Sequence, residues 1–207
     1  MANHFVENLV NCGCLTFFKG DPFKYASGAV GPIYCDNRRI LGFPEERNIF
    51  VESFISLINK KKIDCDLVIG MATGGVPIAA MLADRLGLPF SYVRSSAKKH
   101  GQSKLIEGSF QEGMKVILIE DLINQGGSVY SGAQKVLEAN LSLEAVFSIV
   151  NYSFESSQIL LSKLNCPVYS LVSFDDLQRF IENEPSLGKS VLDHVTNWHK
   201  DPLNWSL

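Results

Sequence analysis

The sequence predicts an α/β fold in which a central, mostly parallel sheet is flanked by helices. Short apolar runs alternate with segments of helical period from about residue 46 onward, and this alternation is typical of a parallel sheet wrapped by helices. The runs are apolar at nearly every position, as expected for strands buried on both faces. The chain has 207 residues, which suits one domain of ordinary size.

The strands are predicted from apolar runs that are short and rich in Val, Ile, Leu and aromatic residues. Such runs fit strands better than helices because they are bounded by turn residues and are too short for several helical turns. The predicted strands are DLVIG at 66–70, FSYVR at 90–94, VILIE at 116–120, EAVFSIV at 144–150 and PVYSLV at 167–172.

The helices between these strands are predicted from start and stop signals. Pro44 can open a helix through Phe50 and Ile58, because proline is favoured at the first helical position. Pro77 opens a second helix that ends at Gly87, since glycine readily adopts the left-handed conformation that follows a helix. Further helices are predicted at about 128–139, 155–164 and 174–183.

The first 45 residues do not join the alternation. They predict a helix followed by two short extended pieces, which Gly28, Gly31 and Pro32 punctuate. We therefore expect a small N-terminal hood lobe over 1–45 and an α/β core over 46–207, within a single domain.

Composition and charge exclude several classes of protein. The chain is 46% hydrophobic and 20% charged, with a formal net charge of −3, a balance that predicts neither a nucleic-acid nor a membrane partner. No stretch approaches the ~18 apolar residues of a membrane span, and no secretory signal is evident, so a cytoplasmic protein is expected. The five cysteines are scattered without a CxxC pair, which argues against structural zinc and a disulfide framework.

The segment VILIEDLINQGGS at 116–128 predicts the functional site. Ligands of open parallel sheets bind outside the carboxyl ends of the strands, and Glu120 and Asp121 stand at such an end. The glycine turn that follows opens a helix whose first amides are unpaired and whose dipole favours an anion. Carboxylates beside such amides suit a sugar phosphate. The spacing matches neither a GxGxxG dinucleotide fingerprint nor a GxxxxGK[ST] nucleotide loop, and GMATGG at 70–75 has no lysine.

This segment resembles the phosphoribosyl pyrophosphate (PRPP) signature of type I phosphoribosyltransferases. Three other stretches resemble the orotate phosphoribosyltransferases specifically, namely FKYASGAVGPIYCDNRR at 23–39, GMATGGVPIAA at 70–80 and YVRSSAKKHGQSKLIEG at 92–108. The resemblance spans most of residues 20–175 and implies the type I phosphoribosyltransferase fold with an N-terminal hood. It also implies that phosphoribosyl passes from PRPP to orotate with Mg²⁺ present, giving orotidine 5′-monophosphate and pyrophosphate in de novo pyrimidine synthesis.

The resemblance assigns the sugar and its 5′-phosphate to the segment 120–128. Glu120 and Asp121 are implied to hold the ribose hydroxyls and to offset the positive charge that develops on the ring. The implied 5′-phosphate turn consists of Asn124, Gln125, Gly126, Gly127 and Ser128. Many members carry smaller Thr, Ser or Ala residues where this chain has Asn and Gln, a departure that raises the prospect of weaker PRPP binding.

The resemblance assigns the leaving diphosphate to two other segments. Ala72, Thr73 and Gly74 belong to the implied pyrophosphate loop, where Mg²⁺ would be carried mainly by PRPP's own oxygens rather than by protein ligands. A basic stretch in a mobile loop of about 94–108 supplies the implied pyrophosphate-binding cations Arg94, Lys98 and His100. Lys98 matches the lysine most closely tied to catalysis, alongside the acids of 120–121. In the family this loop reaches the neighbouring subunit's site, which implies a homodimer with shared active sites.

The orotate pocket is implied by the N-terminal stretch and by two positions in the core. Ser27, Gly28, Tyr34 and Cys35 match a segment that lines the pyrimidine pocket, and Tyr34 is available to pack beside the flat ring. The implied orotate-binding set also includes Asn124 and Tyr152.

Two alternatives stay open on sequence grounds. One is a phosphoribosyltransferase for a different base, because the PRPP signature would be unchanged. The other is a regulator that binds PRPP without catalysis, which the unusual Asn124 and Gln125 make conceivable. Retention of Lys98 and His100 argues against the regulator, as does the negative net charge.

Overall fold

The computed structural model describes residues 2–18, 20–25, 28–95 and 105–207. Its contacts divide the chain into two compact units, one formed by Glu45–Leu171 and the other by Met1–Pro44 together with Val172–Leu207. Residues 172–207 therefore cluster with the N-terminal lobe, whereas the sequence analysis placed them in the α/β core. The physical reason is that the helix Phe174–Asn183 packs against the N-terminal helix and against the helix Gly188–Lys200.

The N-terminal residues form a helix and two small antiparallel ladders. The elements are α1 (Ala2–Asn11), β1 (Leu15–Phe17), β2 (Phe23–Lys24), β3 (Val30–Gly31) and β4 (Ile33–Cys35), followed by a 3-10 helix at Asn37–Gly42. Strand β1 pairs with β4, and β2 pairs with β3. The expected N-terminal helix and short extended pieces are thus present.

The core unit carries most of a six-stranded sheet in the order β10-β9-β8-β5-β6-β7. Strand β5 is parallel to β6 and β8, and β8 is parallel to β9, whereas β7 is antiparallel to β6. The predicted α/β class and all the predicted strands are confirmed, while β7 was not predicted. The strands are β5 (Leu67–Met71), β6 (Phe90–Val93), β7 (Ile106–Glu107), β8 (Lys115–Ile123), β9 (Ser142–Asn151) and β10 (Val168–Ser173).

Helices connect β5 to β6, β8 to β9 and β9 to β10, and every predicted helix is present. Helix α3 begins at Gly75, before Pro77, and ends at Gly87, whose φ of 65° is left-handed as its role as C-cap requires. The helices are α2 (Pro44–Lys61), α3 (Gly75–Leu86), α4 (Gly127–Glu138), α5 (Glu155–Ser162), α6 (Phe174–Asn183) and α7 (Gly188–Lys200). In the described part of the chain, none of them has the length and apolar character needed to cross a membrane.

The middle residues of β5 and β8 are apolar and buried because helices cover the sheet. Residues 67–69 of β5 and 116–119 of β8 have no solvent exposure, and Phe54 of α2 meets Phe147 of β9 edge to face at 6.1 Å. Each fully buried side chain of this size contributes about 1.5–3 kcal/mol. This packing fixes the strands rigidly, so their carboxyl ends form a firm edge for a site.

The other unit has its own apolar contacts. Helix α6 packs against α1 and α7, Phe17 stacks on Phe180 with ring centroids 6.0 Å apart, and Trp198 is 1% exposed. Ser173 begins α6 with a capping box, in which its side chain and that of Asp176 satisfy each other's backbone amides. The capping box therefore defines where α6 begins.

Candidate active site

Two adjacent carboxyl groups stand near the carboxyl end of β8. Glu120 is buried, at 7% exposure, and Asp121 is half-buried. The Asp121 amide donates a hydrogen bond of 2.9 Å to Glu120 Oε1. The strand continues to Ile123, so the two acids lie inside the strand, close to its end, rather than just beyond it.

Burial gives Glu120 an unusual protonation state. Desolvation raises the pKa of Glu120 from 4.5 to about 9, and the neighbouring Asp121 carboxyl acts in the same direction. A carboxyl group with such a pKa keeps its proton at neutral pH, because removing it would place two negative charges side by side in a poorly solvated position. The pair can therefore donate as well as accept hydrogen bonds.

The loop that follows β5 lies directly on these acids. A Cβ added at Gly74 would collide with the Asp121 carboxylate, and one at Gly75 would collide with the Ile119 carbonyl oxygen and lie 3.1 Å from Glu120 Cα. Glycine is required at position 75, because the atoms that a side chain would meet there belong to the backbone of β8. At Gly74 the atoms in the way belong to the Asp121 side chain. The two segments that the sequence marked separately, 72–75 and 120–121, are thus in contact.

Two helices start at this edge of the sheet without a side-chain cap. Helix α3 begins after Gly74 and α4 begins after Gly126, and neither N-cap residue makes a side-chain hydrogen bond to the helix. They follow β5 and β8, which are adjacent parallel strands. Free amides and the positive end of the helix dipole favour anions, so an anionic group can be held at each of these helix starts.

The turn 124–128 is shaped by contacts with α5. Gly126 is buried with a left-handed φ of 78°, and a Cβ there would lie 3.2 Å from Ser157 Cβ. The Ser156 hydroxyl donates a 3.0 Å hydrogen bond to Gln125 Oε1. The side chain of Gln125, which the sequence marked as a possible obstruction, is therefore directed at α5. Asn124 and Ser128 are exposed.

Arg94 follows β6 beside the loop 72–75. The Ala72 amide donates a 2.9 Å hydrogen bond to the Val93 carbonyl, which places Arg94 next to that loop. The Arg94 guanidinium pairs with the Glu107 carboxylate at 3.2 Å, with the two side chains 26% and 32% exposed. Its backbone amide donates to the Leu105 carbonyl at 2.9 Å.

Several predicted site residues are not described or belong to the other unit. Lys98, His100 and Ser27 lie outside the described residues. Gly28, Tyr34 and Cys35 are in the unit of Met1–Pro44 and Val172–Leu207. Gly28 has a left-handed φ of 87°.

The other predicted orotate residues differ in their accessibility. Tyr34 is 41% exposed and tilts against Phe23 at a ring distance of 5.7 Å. Tyr152 is in the core unit and 3% exposed, with its ring packed edge-on against Phe154 at 5.9 Å. Its predicted contact with orotate therefore depends on a side chain that is largely covered.

Sequence reasoning missed the partners that hold the site residues. Glu107 was quoted within the stretch 92–108 but given no role, and the contact of Ser156 with the turn was not foreseen. Recognition of the pairing between β6 and β7 would have pointed to Glu107. Strand β7 has only two residues, however, which is too short to show the alternating pattern of a strand. Nothing in the sequence links Ser156 to Gln125.

The residues present fit a magnesium ion only as part of a larger donor set. Among the residues that the structure describes, no group of three or more His, Cys, Asp or Glu side chains could hold a metal ion. Asp121 offers carboxylate oxygens, the hard ligands that Mg²⁺ prefers, next to the loop 72–75. A bound diphosphate would supply the remaining oxygens.

The chain is similar to known proteins in both sequence and fold. A model of the phosphoribosyl transferase domain family matches residues 47–149. The orotate phosphoribosyltransferase of Coxiella burnetii is 35% identical over 204 residues, covering 99% of this chain and 98% of that protein. That of Bacillus subtilis is 38% identical over 196 residues, covering 95% and 91%. The crystal structure of the Aeropyrum pernix orotate phosphoribosyltransferase has a TM-score of 0.70 at 26% identity, covering 86% of this chain and 98% of that one.

Proposed function

The chain belongs to the orotate phosphoribosyltransferase family, and we propose that it transfers the phosphoribosyl group of PRPP to orotate. The bond from C1 to the diphosphate oxygen breaks, and a bond from C1 to N1 of orotate forms, which gives orotidine 5′-monophosphate and pyrophosphate. This reaction belongs to the de novo synthesis of UMP. The observation that carries the proposal is the packing of the acids 120–121 directly against the loop 72–75, with an uncapped helix start after each of their strands.

The acid pair suits the sugar. Glu120, whose pKa is raised to about 9, can donate a hydrogen bond to one ribose hydroxyl, while Asp121 can accept from another. As the bond to the diphosphate breaks, positive charge develops on the ring, and carboxyl groups held nearby stabilise it without moving. No protein nucleophile is needed in this reaction, so positioning and charge supply the rate.

The 5′-phosphate is assigned to the turn 124–128. Gly126, Gly127 and the first residues of α4 present backbone amides there, and the Ser128 hydroxyl is exposed beside them. Binding of the phosphate anchors the sugar so that C1 is brought to a fixed position. Engagement of Gln125 by Ser156 supports a turn whose backbone stays open to the phosphate.

The diphosphate is assigned to Ala72, Thr73 and Gly74, to the start of α3 and to Arg94. Lys98 and His100 are included on the resemblance of their stretch to the family's pyrophosphate-binding positions. When bound, Mg²⁺ supplies positive charge to the diphosphate oxygens, and Asp121 is the protein group best placed to contact it. Each cation that meets the departing diphosphate lowers the barrier, and more so as water is excluded.

Orotate is assigned to Ser27, Gly28, Tyr34 and Cys35, with Asn124 and Tyr152. Tyr34 supports this assignment best, because its 41% exposure leaves ring surface on which a flat pyrimidine can stack. Tyr152 is the weakest member, since its ring is 3% exposed.

The proposal includes a cytoplasmic homodimer in which each subunit completes the other's site. Its support is the resemblance of 92–108 to a loop that reaches the neighbouring site in the family. Two inactive variants, Lys98→Ala and Asp121→Asn, are expected to regain partial activity when mixed under conditions of subunit exchange. Failure to regain activity, although mixed dimers are seen by native mass spectrometry, would contradict shared sites.

The direct test of function is turnover. Protein is mixed with orotate, PRPP and Mg²⁺, and the orotate absorbance is followed. We expect it to fall with stoichiometric release of pyrophosphate. No turnover at micromolar enzyme would refute the proposal, and turnover with a purine base in place of orotate would point to a different acceptor.

A further inference from the structure

Glu107 stands at the edge of the core sheet in a position set by strand pairing. Strands β6 and β7 are antiparallel, with Tyr92 opposite Glu107 and Val93 opposite Ile106. Arg94 is two residues beyond Tyr92, so it is the diagonal neighbour of Glu107 on the same face, within reach of long side chains. The observed ion pair of 3.2 Å is the result of this register.

The backbone after Glu107 is fixed against β6. Gly108 has a φ of 122°, and a Cβ there would collide with the Ser91 hydroxyl and lie 3.1 Å from the Phe90 carbonyl oxygen. This close approach holds the end of β7 in place. The Glu107 carboxylate is therefore presented to Arg94 from a well-anchored strand.

The backbone of Arg94 is held from two sides. Its amide donates to the Leu105 carbonyl at 2.9 Å, and its carbonyl accepts a long hydrogen bond of 3.5 Å from Lys135 Nζ of α4. With the backbone fixed, the direction of the guanidinium depends on the contacts of the side chain itself. The pair with Glu107 selects one direction among several otherwise accessible rotamers.

We propose that Glu107 is a positioning residue that orients Arg94 for the diphosphate of PRPP. The inference rests on the proposed function, in which Arg94 binds this group beside the loop 72–75. A guanidinium held in place before the substrate arrives loses less conformational freedom on binding. Because both side chains are partly exposed, the ion pair is screened, and its effect on affinity is modest.

Glu107→Ala is expected to raise the KM for PRPP and the Kd for pyrophosphate by about 2- to 10-fold, the effect of freeing one side chain. The value of kcat should change less than KM, and the KM for orotate should stay constant. Glu107→Gln keeps an acceptor but loses the charge, so its values should fall between wild type and Glu107→Ala. Glu112→Ala, which removes an exposed acid further along the same segment, is the control and should match wild type.

A double-mutant cycle separates positioning from general support of the fold. In an Arg94→Ala background, Glu107→Ala should have no further effect on pyrophosphate binding, because the residue acts through Arg94. An equal loss in both backgrounds would overturn the proposal. Tighter pyrophosphate binding by both Glu107 variants would also overturn the proposal. The negative charge of Glu107 would then act only by reducing the attraction of Arg94 for the anion.

The measurements also distinguish failure of this inference from failure of the proposed function. Pyrophosphate binding by calorimetry needs no turnover, so the cycle can be completed even if wild type does not consume orotate. Wild-type turnover with unchanged pyrophosphate affinity in both Glu107 variants would leave the function standing and refute the role of Glu107. Thermal unfolding of each variant checks that the protein stays folded.

Discussion

Replacing Gly75 with alanine adds one methyl group at the closest approach between the loop 72–75 and β8. The new Cβ would collide with the carbonyl oxygen of Ile119 and lie 3.1 Å from Glu120 Cα. These are backbone atoms of a central strand that has no solvent exposure at 119, so they cannot move aside. The loop must move instead, and with it the proposed diphosphate site.

The cost follows from two opposing terms. Overpacking of a tight core contact typically costs about 1–3 kcal/mol. Alanine is favoured over glycine within a helix by about 1 kcal/mol, and Gly75 is the first residue of α3. We expect Gly75→Ala to lower the free energy of unfolding by about 0–2 kcal/mol. A displacement of the loop by about 1 Å should lower kcat/KM for PRPP by roughly 10²-fold.

The assay pairs urea unfolding with initial rates of orotate consumption. Gly74→Ala is measured for comparison with Gly75→Ala. Its added Cβ would meet the Asp121 carboxylate, which belongs to a side chain that can rotate away. That variant should unfold like wild type yet lose activity. Gly42→Ala is the control, since no atom lies within 4 Å of its added Cβ. Wild-type kcat/KM in Gly75→Ala, or an equal loss in Gly42→Ala, would refute the reasoning.

Three further outcomes are expected. In the folded state Glu120 keeps its proton up to about pH 9, whereas an exposed carboxyl group loses its proton near pH 4.5, so Glu120 destabilises the fold increasingly as pH rises between these values. The stability gained by Glu120→Gln should therefore grow over that range by less than ~1.4 kcal/mol per pH unit in thermal melts. A gain that stays constant with pH would contradict the raised pKa. Lys98→Ala should lose most turnover while PRPP binding by calorimetry falls only modestly; parallel losses would mean that the lysine acts mainly in binding. Ser156→Ala should raise the KM for PRPP by about 2-fold through the lost hydrogen bond to Gln125, whereas Ser162→Ala on the same helix should leave it unchanged.

The sequence predicted the parts of the fold that depend on local pattern. Apolar runs identified β5, β6, β8, β9 and β10 because strands that helices cover are rich in apolar residues. The acids 120–121 were marked as a site because ligands bind at the carboxyl ends of parallel strands, and because a glycine turn follows the acids. Both inferences need only the properties of a single segment.

The parts that the sequence did not reveal depend on contacts between distant segments. Strand β7 has two residues and is defined by its pairing with β6 rather than by any period of its own. The residues after β10 were assigned to the α/β core, yet α6 packs on α1 and on α7. The side-chain pattern of a helix tells which face is buried but not which partner buries it.

The position of Glu120 illustrates why a costly residue is useful in this proposed reaction. A buried carboxyl group with a pKa of about 9 opposes folding above its ordinary pKa, and glutamine would fill the same space without that penalty. The carboxyl oxygens of the acid pair attract a positive charge that appears beside them. Such a charge is small in bound PRPP and largest when the bond from C1 to the diphosphate is breaking. The interaction of the acid pair is therefore stronger in the transition state than with the substrate, which is the condition for raising kcat rather than merely tightening binding.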